Sequence, residues 1–306
     1  MSIVFLGTTD FAAAILERLS ESGRHRPSLV LTRPDRPRGR GRRLASPPVA
    51  ERARALGLEL EQPASVNDAE TVARIAAAEP QAIVVCAFGA LIKEPLLSAG
   101  EILNVHPSLL PRWRGAAPVE RAIIAGDERT GVSIMRLTAG LDSGPVCFAE
   151  TEPIRAEDTY GTLSLRLQEL GAELLLRALD AIADRSPPAF VEQPDAGVTY
   201  AEKIEPRDRL LDPARPSREL ERVVRALHPH IGARAELPGG EMLGVHVAAL
   251  RPASDEVADE LGVVVREGRL LLVCSDGGAL ELLVVQPPGK RRMDGAAYIR
   301  GLPGRR

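Results

Sequence analysis

Asn104 and His106 stand two residues apart at the end of an apolar run, and Asp142 sits within the turn-rich Gly140-Leu141-Asp142-Ser143-Gly144. On a strand, a spacing of two sends both side chains to the same face. An amide N–H can stabilise an oxyanion, an imidazole can move a proton, and a carboxylate can orient or tune the imidazole. The three together would make an acyl-transfer set. Each alone also fits a structural role, the histidine at a strand end and the aspartate in a turn. Cys86, Cys147 and Cys274 are widely spaced in apolar runs and have neither metal nor disulfide spacing, so the expected chemistry needs no metal. The opening Gly7-Thr8-Thr9-Asp10-Phe11 lacks the second glycine of a dinucleotide loop, and Gly7 is expected simply to end a strand.

Such residues need a scaffold that brings strand ends together. Buried strands are expected at 3–6 and 29–31, with a helix at 11–19 capped by Asp10. A proline-, glycine- and arginine-rich stretch at 33–48 then interrupts the pattern. Helical spacing returns at 49–56, stopped by Gly57, and at 68–79, stopped by Pro80. The near-continuous apolar runs 82–87 and 102–105 read as central strands covered on both faces. Further strands are expected at 131–137 and 146–154, followed by a long helix at 160–183 broken by Pro187 and Pro188. This alternation predicts an α/β domain with an open, mostly parallel sheet, and ligands bind such sheets beyond the carboxyl ends of the strands. The segments 104–118 and 140–144 fall there.

The remainder reads differently. A short helix at 217–227 precedes short β runs at 233–237, 244–250, 262–265, 270–274 and 279–285, the pattern of a small barrel. The expected division is a catalytic domain over 1–188, a linker over 189–208 and a C-terminal domain over 209–306.

A formal net charge of -3 excludes a globally basic nucleic-acid binder, so any such contact must come from local clusters. Two exist. Residues 33–43 hold six arginines and one acid, and Lys290, Arg291 and Arg292 lie near Arg300, Arg305 and Arg306. A solvated loop and a phosphate-binding loop both fit the first cluster. Aromatic residues are only 3% of the chain, which leaves little for base stacking beyond Trp113 and a few tyrosines. The N-terminus has no signal-peptide pattern and no apolar run approaches a membrane span, so a cytoplasmic protein is expected. No interface motif stands out, and the expectation is a monomer.

The stretches NVHPSLLPRWRGAAP (104–118), TGVSIMRLTAGLDSGPV (130–146) and FLGTTDFA (5–12) closely resemble the formyltransferases that use 10-formyltetrahydrofolate. Within them the resemblance is best to the methionyl-tRNA formyltransferases, and AEDTYGTL (156–163), TYAEKI (199–204) and residues 285–293 extend it over nearly the whole chain. By position, Asn104, His106 and Asp142 look like the family's catalytic residues, and Ser108, Leu109, Leu110 and Pro111 like its folate-carrier segment. Pro107 stands where glycine is also familiar, a change that a strand exit accepts. The resemblance implies a Rossmann-like domain followed by an OB-like barrel, and transfer of a formyl group from 10-formyltetrahydrofolate to the α-amine of methionyl initiator tRNA. It also implies that Arg36, Arg38, Arg40, Arg42 and Arg43 form a loop on the tRNA acceptor stem, with Lys290, Arg291 and Arg292 as a second tRNA contact. Two alternatives stay open. One is a sugar-nucleotide formyltransferase, a class that generally lacks the arginine-rich insertion; the other is a degenerate folate- or RNA-binding module without turnover.

Overall fold

The computed structural model describes residues 1–38, 43–252 and 260–302. They form two compact units. One comprises Met1–Pro118, Thr130–Pro153 and Ser164–Ala201, and the other Val119–Arg129, Ile154–Leu163 and Glu202–Arg306.

Strand β1 (Ile3–Gly7) is wholly buried, as a run without a polar face requires. Helix α1 (Asp10–Glu21) follows, and its N-cap is Thr9 rather than the expected Asp10. The Thr9 side chain accepts from the Ala12 N–H, while Asp10 occupies the first turn, where a negative charge complements the helix dipole. After β2 (Leu29–Leu31), the arginine-rich stretch proves partly regular. Strands β3 (Arg36–Arg38) and β4 (Arg43–Ala45) pair antiparallel with Pro37 opposite Leu44. Arg36, Pro37 and Leu44 are exposed, so these residues carry no apolar alternation that sequence could reveal.

Helix α2 (Pro48–Ala55), strand β5 (Leu60–Glu61) and helix α3 (Ala69–Ala77) lead to β6 (Ala82–Cys86) and β7 (Ile102–His106). Then come β8 (Arg114–Gly115), α4 (Pro118–Ala125), β9 (Arg129–Arg136), β10 (Val146–Pro153), α5 (Tyr160–Ala183) and β11 (Tyr200–Ala201). Among the described residues seven strands build the main sheet in the order β10-β9-β7-β6-β1-β2-β5. The pairings among β1, β2, β5, β6 and β7 are parallel, and β9 runs antiparallel to β7. Every residue of β6 and β7 is buried, the expected state of central strands. Leu167, Leu174, Leu175, Ala178 and Leu179 form the buried stripe of α5, at the spacing a helix needs to cover a sheet. The stretch expected to be a linker carries β11, which pairs parallel with β8.

In the second unit, α6 (Ser217–Ala226) is followed by β12 (Ala233–Glu236), β13 (Met242–Arg251), β14 (Gly262–Arg266), β15 (Arg269–Val273), β16 (Ala279–Gln286), β17 (Met293–Asp294) and α7 (Gly295–Arg300). Among the described residues the sheet runs β12-β13-β16-β15-β14, with β17 also on β16, and every pairing is antiparallel. Register shifts between Val245 and Ala248 bend β13, and the sheet curls into a half-barrel of the OB-like kind. Its core is closed by the apolar stripe Leu220, Val223, Val224 and Leu227, packed with Ala235, Leu243, Val245, Leu272, Leu280 and Leu282. Each fully buried leucine or valine there is worth about 1.5–3 kcal/mol relative to exposure.

Candidate active site

Asn104 and His106 close β7 on one face of the pleat, only 8% and 4% exposed. His106 lies opposite Ser133 of β9, and Asn104 opposite Met135. Beyond β7 the chain turns back on itself, held by two serines. The fully buried Ser108 donates through Oγ to the Arg112 carbonyl at 2.6 Å. Ser133 Oγ donates to the Ser108 carbonyl at 2.8 Å and accepts from the Leu110 N–H at 3.2 Å. The returning chain presents the Trp113 carbonyl to His106 Nε2 at 2.8 Å, with Trp113 itself at φ +62°. A carbonyl can only accept, so Nε2 carries the hydrogen. Nδ1 is the other ring nitrogen, 3.6 Å from Asp142 Oδ2.

Asp142 arrives from the turn between β9 and β10, in a left-handed conformation (φ +44°) that aspartate tolerates better than most residues. Its carboxylate is 14% exposed and receives two donors. Asn104 Nδ2 donates to Oδ1 at 3.4 Å, and the Gly115 N–H donates to Oδ2 at 2.8 Å. Gly115 is a position that only glycine fits: its φ is +121°, and a Cβ there would sit 2.8 Å from the Ala201 carbonyl oxygen.

Gly115 is in turn held by residues far along the chain. The Trp113 N–H donates to Thr199 Oγ1 at 2.8 Å, and the Arg114 and Ala116 N–H groups donate to the carbonyls of Thr199 and Ala201 at 2.9 Å and 2.8 Å. The Tyr200-Ala201 pair of TYAEKI is thus strand β11, a rail for the loop that carries the Asp142 donor. Gln193 adds another brace, donating through Nε2 to the carbonyls of Asp142 and Gly144. Composition and spacing carry no sign of Gln193, Arg114 or the Gly115 N–H. Thr199 belongs to TYAEKI, whose only signal in the sequence is its family resemblance.

The structure therefore brings Asn104, His106 and Asp142 together. The Asn104 amide is only weakly engaged by Asp142 and retains a second N–H, suited to an oxygen that develops charge. Ring and carboxylate face one another across a gap in which a proton received at Nδ1 would be shared. Burial lowers the local dielectric and strengthens both effects.

Among the other expected residues, Leu109, Leu110 and Pro111 are half-buried on the turn beyond β7, while Ser108 lies beneath them with its hydroxyl engaged by Arg112. Arg36 is exposed, and Arg38 and Arg43 are in register across the ribbon. Arg40, Arg42, Arg305 and Arg306 lie outside the described residues. Lys290, Arg291 and Arg292 lie in the second unit between β16 and β17, and Arg292 donates to the Pro229 carbonyl at 3.2 Å. Burial pushes the Cys147 thiol up to about 11 and that of Cys274 to about 12, so neither is a ready thiolate near neutrality. Among the described residues no three His, Cys, Asp or Glu side chains are grouped to hold a metal, and no helix is long and apolar enough to cross a membrane.

Known proteins resemble this chain in sequence and in fold. The formyl transferase family matches residues 1–179, and the formyl transferase C-terminal domain matches residues 203–303. This chain belongs to the formyl transferase family. It is 43% identical over 305 residues to the methionyl-tRNA formyltransferase of Cereibacter sphaeroides, covering 99% of this chain and 97% of that one. It is 44% identical over 303 residues to the methionyl-tRNA formyltransferase of Halorhodospira halophila, covering 98% and 96%. The crystal structure of HypX from Aquifex aeolicus in complex with tetrahydrofolic acid aligns with a TM-score of 0.65 at 18% identity, over 97% of this chain and 46% of that one. This chain spans about half the length of that protein, and the likeness concerns the fold.

Proposed function

We propose that the chain is an enzyme that transfers a formyl group from 10-formyltetrahydrofolate to the α-amine of methionyl initiator tRNA, for translation initiation. The observation that carries the chemistry is the buried convergence of Asn104, His106 and Asp142 at the carboxyl end of β7. The acceptor is supported by relatives of that name matching this chain from end to end. The neutral amine attacks the formyl carbon, whose carbonyl electron pair moves onto oxygen, and Asn104 donates to that oxyanion. His106, with its Nε2 hydrogen engaged by Trp113, accepts the ammonium proton at Nδ1 beside Asp142 and returns it to N10 of the folate. The C–N10 bond then breaks and leaves the formylated amine.

In this reading, 1–188 is the catalytic domain, 189–208 a linker and 209–306 the tRNA-binding domain. Leu109, Leu110 and Pro111 border the donor, with Ser108 stapling their turn. Arg36, Arg38, Arg40, Arg42 and Arg43 meet acceptor-stem phosphates, joined by Lys290, Arg291 and Arg292. The enzyme works as a cytoplasmic monomer.

The test is a formylation assay with 10-formyltetrahydrofolate and three acceptors: methionyl initiator tRNA, an amino-sugar nucleotide and a ribotide amine. Preferential turnover of the tRNA is expected. Preference for the sugar nucleotide would replace this reading with the sugar enzyme, and donor binding without turnover of any acceptor would leave a binding module.

A further inference from the structure

We infer that Gln193 is a positioning residue for this site: it fixes the main chain of the Asp142 turn and so aims the Asp142 carboxylate. The inference rests on the reading of Asn104, His106 and Asp142 as the reacting set. Gln193 Nε2 donates to the carbonyls of Asp142 and Gly144, both at 2.8 Å. Its Oε1 accepts from Arg114 Nε at 3.0 Å and Arg114 Nη2 at 2.7 Å. Only one orientation of the amide serves this environment, because the guanidinium has only donors to offer and the two carbonyls only acceptors.

The geometry makes Gln193 a cross-brace. One end of the amide holds the turn that bears Asp142, and the other holds Arg114, whose neighbour Gly115 donates to Asp142 Oδ2 at 2.8 Å. The main chain of Asp142 is thus held by Gln193 and its carboxylate by Gly115, with Arg114 joining the two. The brace is itself anchored on both sides. Val191 exchanges backbone hydrogen bonds with Val146 at 2.8 Å and 2.9 Å, and Thr199 to Ala201 hold residues 113–117. The turn has need of it: Asp142 lies at φ +44°, flanked by the exposed Gly140 and Leu141. Gln193 reaches no reacting group in this arrangement. Its effect passes through Asp142.

Two variants and one partner variant test this. Gln193→Ala removes the whole brace. Gln193→Glu keeps the volume and strengthens the interaction with Arg114, yet sets a carboxylate oxygen against two carbonyls. Both should lower kcat by about 10–100-fold, the scale of a misplacement of about 1 Å in a reacting group. KM for donor and acceptor should stay within about twofold, and thermal unfolding should show each variant folded. In an Asp142→Asn background, either Gln193 replacement should add nothing further, because the group it aims is already gone. Wild-type kcat in Gln193→Glu beside a crippled Asp142→Asn overturns this inference alone, and so does a loss that multiplies fully with that of Asp142→Asn. Full turnover in Asp142→Asn itself removes the reading of the reacting set, and this inference with it.

Discussion

Gly115→Ala separates backbone strain from the aiming of Asp142, provided that Gly57→Ala is measured beside it. Both glycines have positive φ, +121° at Gly115 and +63° at Gly57. An alanine at either is strained by about 1–3 kcal/mol. At about 2–4 °C per kcal/mol for domains of 150–250 residues, each should lower Tm by roughly 2–12 °C. The two differ in their surroundings. Nothing lies within 4 Å of a Cβ at Gly57, whereas a Cβ at Gly115 would meet the Ala201 carbonyl oxygen at 2.8 Å. Ordinary contact begins at 3.4 Å, so β8 and β11 must part by about 0.6 Å, the difference of those distances. A shift of that size can stretch the 2.8 Å bond from the Gly115 N–H to Asp142 Oδ2 to about 3.4 Å, where it holds the carboxylate only weakly. Gly115→Ala should therefore lose about 10–100-fold in kcat on top of its loss in Tm, while Gly57→Ala loses Tm alone. Differential scanning calorimetry and single-turnover formylation measure the two quantities. Full kcat in a Gly115→Ala protein with the expected drop in Tm would refute the idea that this N–H aims the carboxylate.

Asn104→Ala should cost about 10²–10³ in kcat with an unchanged far-UV spectrum, as loss of an oxyanion donor does; near-normal turnover removes that role. Leu110→Asp should raise KM for the folate donor more than KM for the tRNA, and an effect confined to tRNA would argue against the donor segment. Replacing Arg40, Arg42 and Arg43 by alanine should weaken aminoacyl-tRNA binding and flatten its log-log salt dependence, by about one unit for each phosphate no longer neutralised, while donor binding barely changes. An unchanged salt slope would leave the loop as a solvated insertion. Asp180 accepts from His25 Nε2 at 2.8 Å, and that hydrogen bond, with Arg24 alongside, holds its carboxyl below the usual range. A depressed carboxylate stabilises the fold above the ordinary aspartate value of about 3.9 and loses that contribution as pH falls through the folded value. The Tm gap between wild type and Asp180→Asn should accordingly be present above the ordinary aspartate value and close below it; a gap that persists undiminished in strong acid would contradict the sign.

Much of the fold was legible from local pattern. Ala82–Cys86 and Ile102–His106 read as central strands because a strand covered on both faces has few polar positions, and the α5 stripe declared its length through 3.6-residue spacing. Asn104 and His106 were readable as a pair because a strand's period of two is a local property. The limits were physical as well. The β3–β4 ribbon leaves Arg36, Pro37 and Leu44 exposed and so wrote no apolar alternation, and both Thr9 and Asp10 are competent caps that only the local backbone could tell apart. What tertiary structure alone decided is how Asp142 is held. Arg114 meets Gln193 at a separation of 79 residues and Trp113 meets Thr199 at 86, in loops whose main-chain hydrogen bonds impose no periodicity on side chains. Sequence by itself determined which residues could do the chemistry, because strand ends and turns are written in local burial and turn propensity. The folded chain alone determined that Gly115, Gln193 and Thr199 would aim them, because donor and acceptor geometry between distant loops exists only once the sheet has formed.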